Sequence, residues 1–233
     1  MSERLIGILV SSFTKILIPG IKITIPLTIL SFAFSFILGL ILAMVQVTNI
    51  KGLKQFSQFY VWIFRGTPLL VQLFIIFFGM PSIGIMIDAF PAAVIAFGLN
   101  LAAYNCEVFR SAIIAVPKGQ LDAAYAIGLS YPQALVRVIL PQAFPIAFPS
   151  LFNNLISLVK DTSLASSITV VELFTTAQQI AARTYEPMAL YCEAAVIYLF
   201  FCTFLSRLQT YLENKMVWKR KSNIKTQAEN VNA

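Results

Sequence analysis

Residues 21–47 read IKITIPLTILSFAFSFILGLILAMVQV and carry a single charge, Lys22. A helix needs about 20 apolar residues to cross the hydrocarbon of a bilayer. Four further runs of low charge follow, at 57–80, 90–115, 143–159 and 188–210. In lipid the backbone must satisfy its own hydrogen bonds, which leaves helices and closed barrels. Continuous apolar runs without a two-residue alternation select helices. The expected fold class is therefore an all-α integral membrane protein with five transmembrane helices. Only 12% of the residues are charged and 58% are hydrophobic, against about 25% charged in soluble domains.

The runs divide the chain into an external segment at 1–20, a membrane domain at 21–210 and a basic tail at 211–233. An odd number of spans puts the termini on opposite sides. With the tail inside, Lys51, Lys54, Lys118, Arg137, Arg207, Lys215, Lys219, Arg220, Lys221 and Lys225 are internal, ten in all. Arg4, Lys15, Lys22, Lys160 and Arg183 are external, five in all. Positive residues favour the cytoplasmic side, so the chain is expected N-out and C-in, with fraying past Lys221. The basic cluster beside an apolar helix reads as a membrane anchor and gives no reason to expect nucleic acid. Cys106, Cys192 and Cys202 lie in apolar surroundings without metal or disulfide spacing and are expected to be small core residues.

Residues 160–187 are only moderately apolar and contain Glu172. The expected structure is a short helix folded back into the outer mouth. A sixth span would reverse the side of the tail, against the charge bias.

The segment 116–142 interrupts the apolar pattern on the internal side. Pro117 can open a helix. Gly128 can close it in a left-handed conformation. Ser130 and Gln133 have capping-box spacing for a second helix, with Ala134, Leu135, Val138 and Ile139 on one face and Pro141 stopping or kinking it. Two short capped helices are either a plain re-entry loop or a docking element for a partner.

The stretch DAAYAIGLSYPQALVRVILP resembles the E-A-A-x3-G-x9-I-x-L-P loop of bacterial ATP-binding-cassette (ABC) importer permeases. Asp122, Ala123 and Ala124 stand at the E-A-A positions, Gly128 at the glycine, and Leu140 and Pro141 at the L-P pair. Asp122 replaces Glu and Val138 replaces Ile, both conservatively. FRGTPLLVQLF at 64–74, AAYNCEVFRSAI at 102–113 and LVKDTSLAS at 158–166 are similar to the polar amino-acid branch. The resemblance implies a five-helix, MetI-like type I permease core in a bacterial inner or plasma membrane. It implies a second permease copy or close paralogue, and an ATPase dimer on which Asp122, Ala123, Ala124, Gly128, Ser130, Leu140 and Pro141 dock. It also implies an external substrate-binding protein, soluble or lipid-anchored.

No G-x-x-x-x-G-K-[ST] sequence is present, so ATP and Mg are expected to be used by the separate ATPase. The chain itself is expected to bind no cofactor or metal and to have no catalytic residue. Ionisable groups within membrane segments are costly and usually functional. Arg65 either snorkels to the interface or shapes an inner vestibule with Gly66, Thr67 and Pro68, which should break the second span. Glu107 and Arg110 are spaced for an ion pair on one helix face. A zwitterion needs an acceptor for its ammonium and donors for its carboxylate. Asp161 and Glu172 can supply the first; Asn153, Asn154, Lys160 and Ser163 can supply the second. The alternative is an interfacial salt bridge between Lys160 and a carboxylate. The function expected is ATP-driven alternating access for a polar amino acid, with cystine, glutamine, arginine and histidine all open. An ion-coupled secondary transporter is the alternative, but it leaves the 116–142 segment unexplained.

Overall fold

The computed structural model describes residues 2–48 and 50–231, with side chains at 3–48 and 50–215. Ten helices carry the chain among these residues. They are α1 (Ser2–Pro19), α2 (Ile25–Val47), α3 (Leu53–Gly66), α4 (Leu69–Phe74), α5 (Ala89–Ala115), α6 (Gly119–Ala126), α7 (Tyr131–Ala134), α8 (Leu140–Asp161), α9 (Leu173–Thr184) and α10 (Pro187–Val231). Among the described residues four continuous helical stretches are long and apolar enough to cross a membrane, and α3 together with the helical stretch Leu69–Ile83, bent by 106° at the break, counts as a fifth if the pair is one broken span.

The centre is the pair α2–α5. Small residues let two helices approach in lipid, and Gly39 and Gly98 do so here. A Cβ on Gly39 would lie 2.8 Å from Cβ of Asn105 and 3.0 Å from the carbonyl oxygen of Ala102. Polar side chains tie the same layer. Asn105 donates to Oγ of Ser35 at 3.0 Å, and Asn154 of α8 donates to Oδ1 of Asn105 at 2.9 Å.

The break after Gly66 falls where the sequence places it. Thr67 is extended (φ −122°, ψ 147°) and Pro68 follows, also extended. Carbonyls freed in a membrane must be re-satisfied. Gln72 donates to the carbonyls of Phe64 (3.0 Å) and Thr67 (3.2 Å), and Asn100 donates to Phe64 (3.2 Å) and to Oε1 of Gln72 (2.9 Å).

Three expectations change. Residues 1–20 are not a separate segment. α1 joins α2 through a π turn at Gly20–Thr24 and packs on α9 and α10 about Ile16, Leu173, Ala177, Leu190 and Ile197. The 160–187 stretch runs as a 3-10 turn, Thr162–Ile168, and then α9, which stands against α1 and α10 rather than in a mouth. Of the two outcomes expected at Pro141, a stop or a kink, the stop is not made. A π turn at Leu135–Ile139, with Leu140 donating to the carbonyl of Leu135, adds one residue to the turn and absorbs the proline's missing donor. α7 is thereby continuous with the fourth span. Cys106 is buried as expected, whereas Cys192 is exposed. α10 stays helical to Val231, past the expected fraying point at Lys221. Lys219, Arg220, Lys221 and Lys225 lie outside the residues whose side chains are described.

Cysteines placed at Ser2 and Asn230 in a cysteine-free background test orientation. The first is expected to react with an impermeant reagent in intact cells and the second only after lysis. Equal labelling of both from outside refutes the five-span topology.

Candidate functional site

One end of the bundle, beside the end of α2, carries the α6–α7 turn. Gly128 has φ +81°. Its N–H donates to the carbonyl of Tyr125 at 2.9 Å, and Leu129 donates to Ala124 at 3.1 Å. These are the two bonds of a Schellman close, and they fix the angle at which α6 meets α7. Gln133 accepts from the backbone N–H of Ser130 at 3.0 Å, which supplies one half of the capping box. Tyr131 donates to the carbonyl of Val47 at 3.0 Å and ties the turn to the end of α2. Ala124 is buried, while Asp122, Ala123, Ser130 and Pro141 are exposed and Leu140 is half-buried. Ile127 is 75% exposed and Tyr125 45%. The turn is held by its own bundle and offers an apolar tip away from it.

The second candidate region is on α8. Ser150, Asn153, Ser157 and Lys160 recur at helical spacing and are all exposed, a polar stripe along an otherwise apolar span. Lys160 and Ser163 also line a groove of about 560 Å³ beside Tyr198 and Cys202 of α10, with Ser163 donating to the carbonyl of Lys160 at 2.7 Å. Asp161 is half-buried and makes no ion pair among the described residues.

Two expected solute ligands are taken by the structure itself. Asn154 turns inward to Asn105. Glu172 is 0% exposed. Its Oε1 accepts from the N–H of Thr175 at 2.8 Å, and its Oε2 accepts from the Tyr198 hydroxyl at 2.9 Å and from Thr24 at 3.3 Å. It is the N-cap of α9 and a buried tie between α1–α2, α9 and α10. With both oxygens bonded it has none to give a solute in this arrangement. Burial of so short a segment required partners from distant elements, and sequence spacing contains no such information.

The third region was only partly visible in the sequence. Arg65, Gly66 and Gln58 of α3, Gln46 of α2, and Tyr104, Glu107 and Arg110 of α5 line an open cleft of about 880 Å³. A second cleft of about 570 Å³ runs between α5 and α8 and is lined by Arg65, Glu107, Ser111 and Ser150 among others. Thr67 and Pro68 hold the chain extended past Arg65 and line neither cleft. The expected Glu107–Arg110 ion pair is made, at 2.7 Å. The Arg65 guanidinium stands over the Tyr104 ring, 5.5 Å from its centroid. Tyr104, Glu107 and Ser111 share one face of α5, a spacing that would have signalled the cleft had their helix been known to be central.

Comparison with known proteins shows the family of the chain. A family model described as the binding-protein-dependent transport system inner membrane component matches residues 35–218. The chain is 51% identical over 206 residues to the L-cystine transport system permease protein TcyB of Bacillus subtilis (strain 168), covering 88% of each. It is 40% identical to the L-cystine transport system permease protein TcyL of the same organism, covering 82% of each. A crystal structure of an amino acid ABC transporter with histidines superposes with a TM-score of 0.81 at 34% identity, over 88% of this chain and 96% of that one.

Proposed function

The chain belongs to the inner membrane component family of binding-protein-dependent transport systems, as a multi-pass permease subunit of an amino-acid ABC transporter, and from that premise we propose that the amino acid it carries is cystine. The observation that carries the choice is the 51% identity to a cystine permease across 88% of both chains.

A cystine importer of this kind works in a bacterial plasma membrane with an external binding protein, possessing or lacking a lipid anchor. It includes a second permease copy or close paralogue and an ATPase dimer that uses ATP and Mg. The α6–α7 turn docks on the ATPase through the exposed tip around Ile127, with Asp122, Ala123 and Ser130 at its edge. Closure of the ATPase then moves α7 and, because α7 is continuous with α8, the fourth span. The α8 stripe at Ser150, Asn153, Ser157 and Lys160 gives a passing zwitterion polar contacts between the apolar runs, and Asp161 stands at its outer end. Alternating access follows from ATP and solute binding differently to the two states.

The test is the complex of permease, ATPase and binding protein in liposomes, supplied with radiolabelled L-cystine. Uptake is expected to need ATP inside and to be outcompeted by unlabelled cystine at least tenfold better than by glutamine, arginine or histidine. Preference for another of these refutes the cystine assignment. Asp161→Asn is expected to lower uptake with assembly unchanged; wild-type uptake in that variant removes Asp161 from the path.

A further inference from the structure

We propose that the cleft between α2, α3 and α5 is an inner holding site for the solute, in which Arg65 binds the α-carboxylate and Glu107 the α-ammonium. The inference rests on the amino-acid transport reading above and adds to it a place and two roles.

Depth comes first. Arg65 is 12 residues past the start of α3, Glu107 is 8 residues before the end of α5, and Ser150 is 10 residues into α8. At 1.5 Å per residue Arg65 and Glu107 are about 18 and 12 Å from those helix ends, while Ser150 is about 15 Å from the start of α8 and roughly 28 Å from Tyr131, where the continuous helical stretch begins. Arg65 and Glu107 therefore stand well inside the lengths of their helices rather than at their ends. Charges within membrane spans persist only where they are paired or face a water-filled path.

The charges are unequally satisfied. Arg110 is held by Glu107, through one bond of 2.7 Å and a second of 3.4 Å. Arg65 makes no ion pair among the described residues, and its guanidinium rests on the Tyr104 ring. A ring face orients a guanidinium without neutralising it. The planar fork is then presented for an anion, and a carboxylate is the anion it matches best, by two parallel hydrogen bonds.

Glu107 supplies the opposite charge. Arg65 and Glu107 are the two residues that line both clefts, the one of about 880 Å³ and the one of about 570 Å³ beside α8. A solute moving along the α8 stripe reaches Ser150 and then meets this pair. An arriving ammonium competes with Arg110 for the Glu107 carboxylate, so the site need not hold its cargo tightly. The volume accommodates a solute the size of cystine, within the roughly 300–1,000 Å³ usual for small-molecule sites.

The experiment uses the complete permease–ATPase complex in detergent without the binding protein, and measures binding of radiolabelled L-cystine by equilibrium dialysis. Uptake and basal ATP hydrolysis are followed in liposomes alongside. Wild type is expected to bind. Arg65→Gln is expected to lose roughly 10–100-fold in affinity, the span expected for one charged hydrogen-bonded contact, with subunit retention unchanged. Arg65→Lys restores most of the binding, which a purely structural arginine at the break would not do. Glu107→Gln loses affinity as well and serves if Arg65→Gln fails to assemble. Cystamine, which is cystine without its carboxylates, competes poorly in wild type and no worse in Arg65→Gln. Unchanged cystine binding in Arg65→Gln and Glu107→Gln refutes the proposal. If wild-type uptake is confined to another amino acid, the cystine assignment falls alone, and the same losses are then required with that amino acid and its decarboxylated analogue.

Discussion

Gly128→Val is expected to insert into the membrane and assemble with a second permease subunit, yet to lose the coupling between ATP hydrolysis and uptake. Gly128 sits at φ +81°, and a Cβ there would meet nothing within 4 Å. The substitution therefore creates no clash and acts only through the backbone. A residue with a Cβ costs roughly 1–2 kcal/mol in the left-handed region, and β-branched valine tolerates it worst. Relief comes from opening the turn, and that breaks the bonds from Gly128 to Tyr125 and from Leu129 to Ala124. The exposed Ile127 tip then points elsewhere, while the α2–α5 centre, far from the turn, is unaffected. Purified complexes should show reduced ATPase retention, or hydrolysis at a wild-type rate with uptake reduced at least tenfold. Gly128→Asn, which enters the left-handed region more readily, should retain most of the coupling. Normal retention, solute-stimulated hydrolysis and uptake in Gly128→Val would falsify the docking role.

The largest loss of stability is expected at Gly39. In a bare helix Gly→Ala gains about 1 kcal/mol. Here a Cβ would fall 2.8 Å from Cβ of Asn105, 3.0 Å from the carbonyl oxygen of Ala102 and 3.1 Å from the backbone nitrogen of Cys106. Two of those atoms belong to the main chain of α5 and cannot swing aside. The helices must separate, and overpacking of this kind typically costs about 1–3 kcal/mol. Separation also strains the Ser35–Asn105–Asn154 chain of hydrogen bonds, which joins α2, α5 and α8. Gly39→Ala should lower the thermal midpoint in detergent, and Gly39→Leu should leave little monodisperse protein. Gly119→Ala is the control, since a Cβ there meets nothing within 4 Å. If Gly39→Leu melts with wild type, the closeness of α2 and α5 is not what holds the bundle.

Apolar length and turn chemistry are local properties, and the sequence alone determined what depends on them. It located the runs that become α2, α5, α8 and α10, because about 20 apolar residues have no other stable state. It located the break at Gly66 and Pro68 and the left-handed close at Gly128, because those residues fix or free their own dihedral angles. The Glu107–Arg110 pair lies within one turn of one helix and was legible for the same reason. The tertiary structure alone decided which polar side chains are occupied and which are free. Glu172 and Asn154 had the composition of solute ligands, but Tyr198 and Thr24 reach the first and Asn105 the second from elements 26 to 148 residues away. Arg65 could be read from sequence either as an interfacial anchor or as part of a vestibule, and only the packing of α3 on α5 shows its guanidinium standing over Tyr104. Whether a polar group in a membrane faces a partner or a path is set by its neighbours in space, and helix period specifies only which residues share its own face.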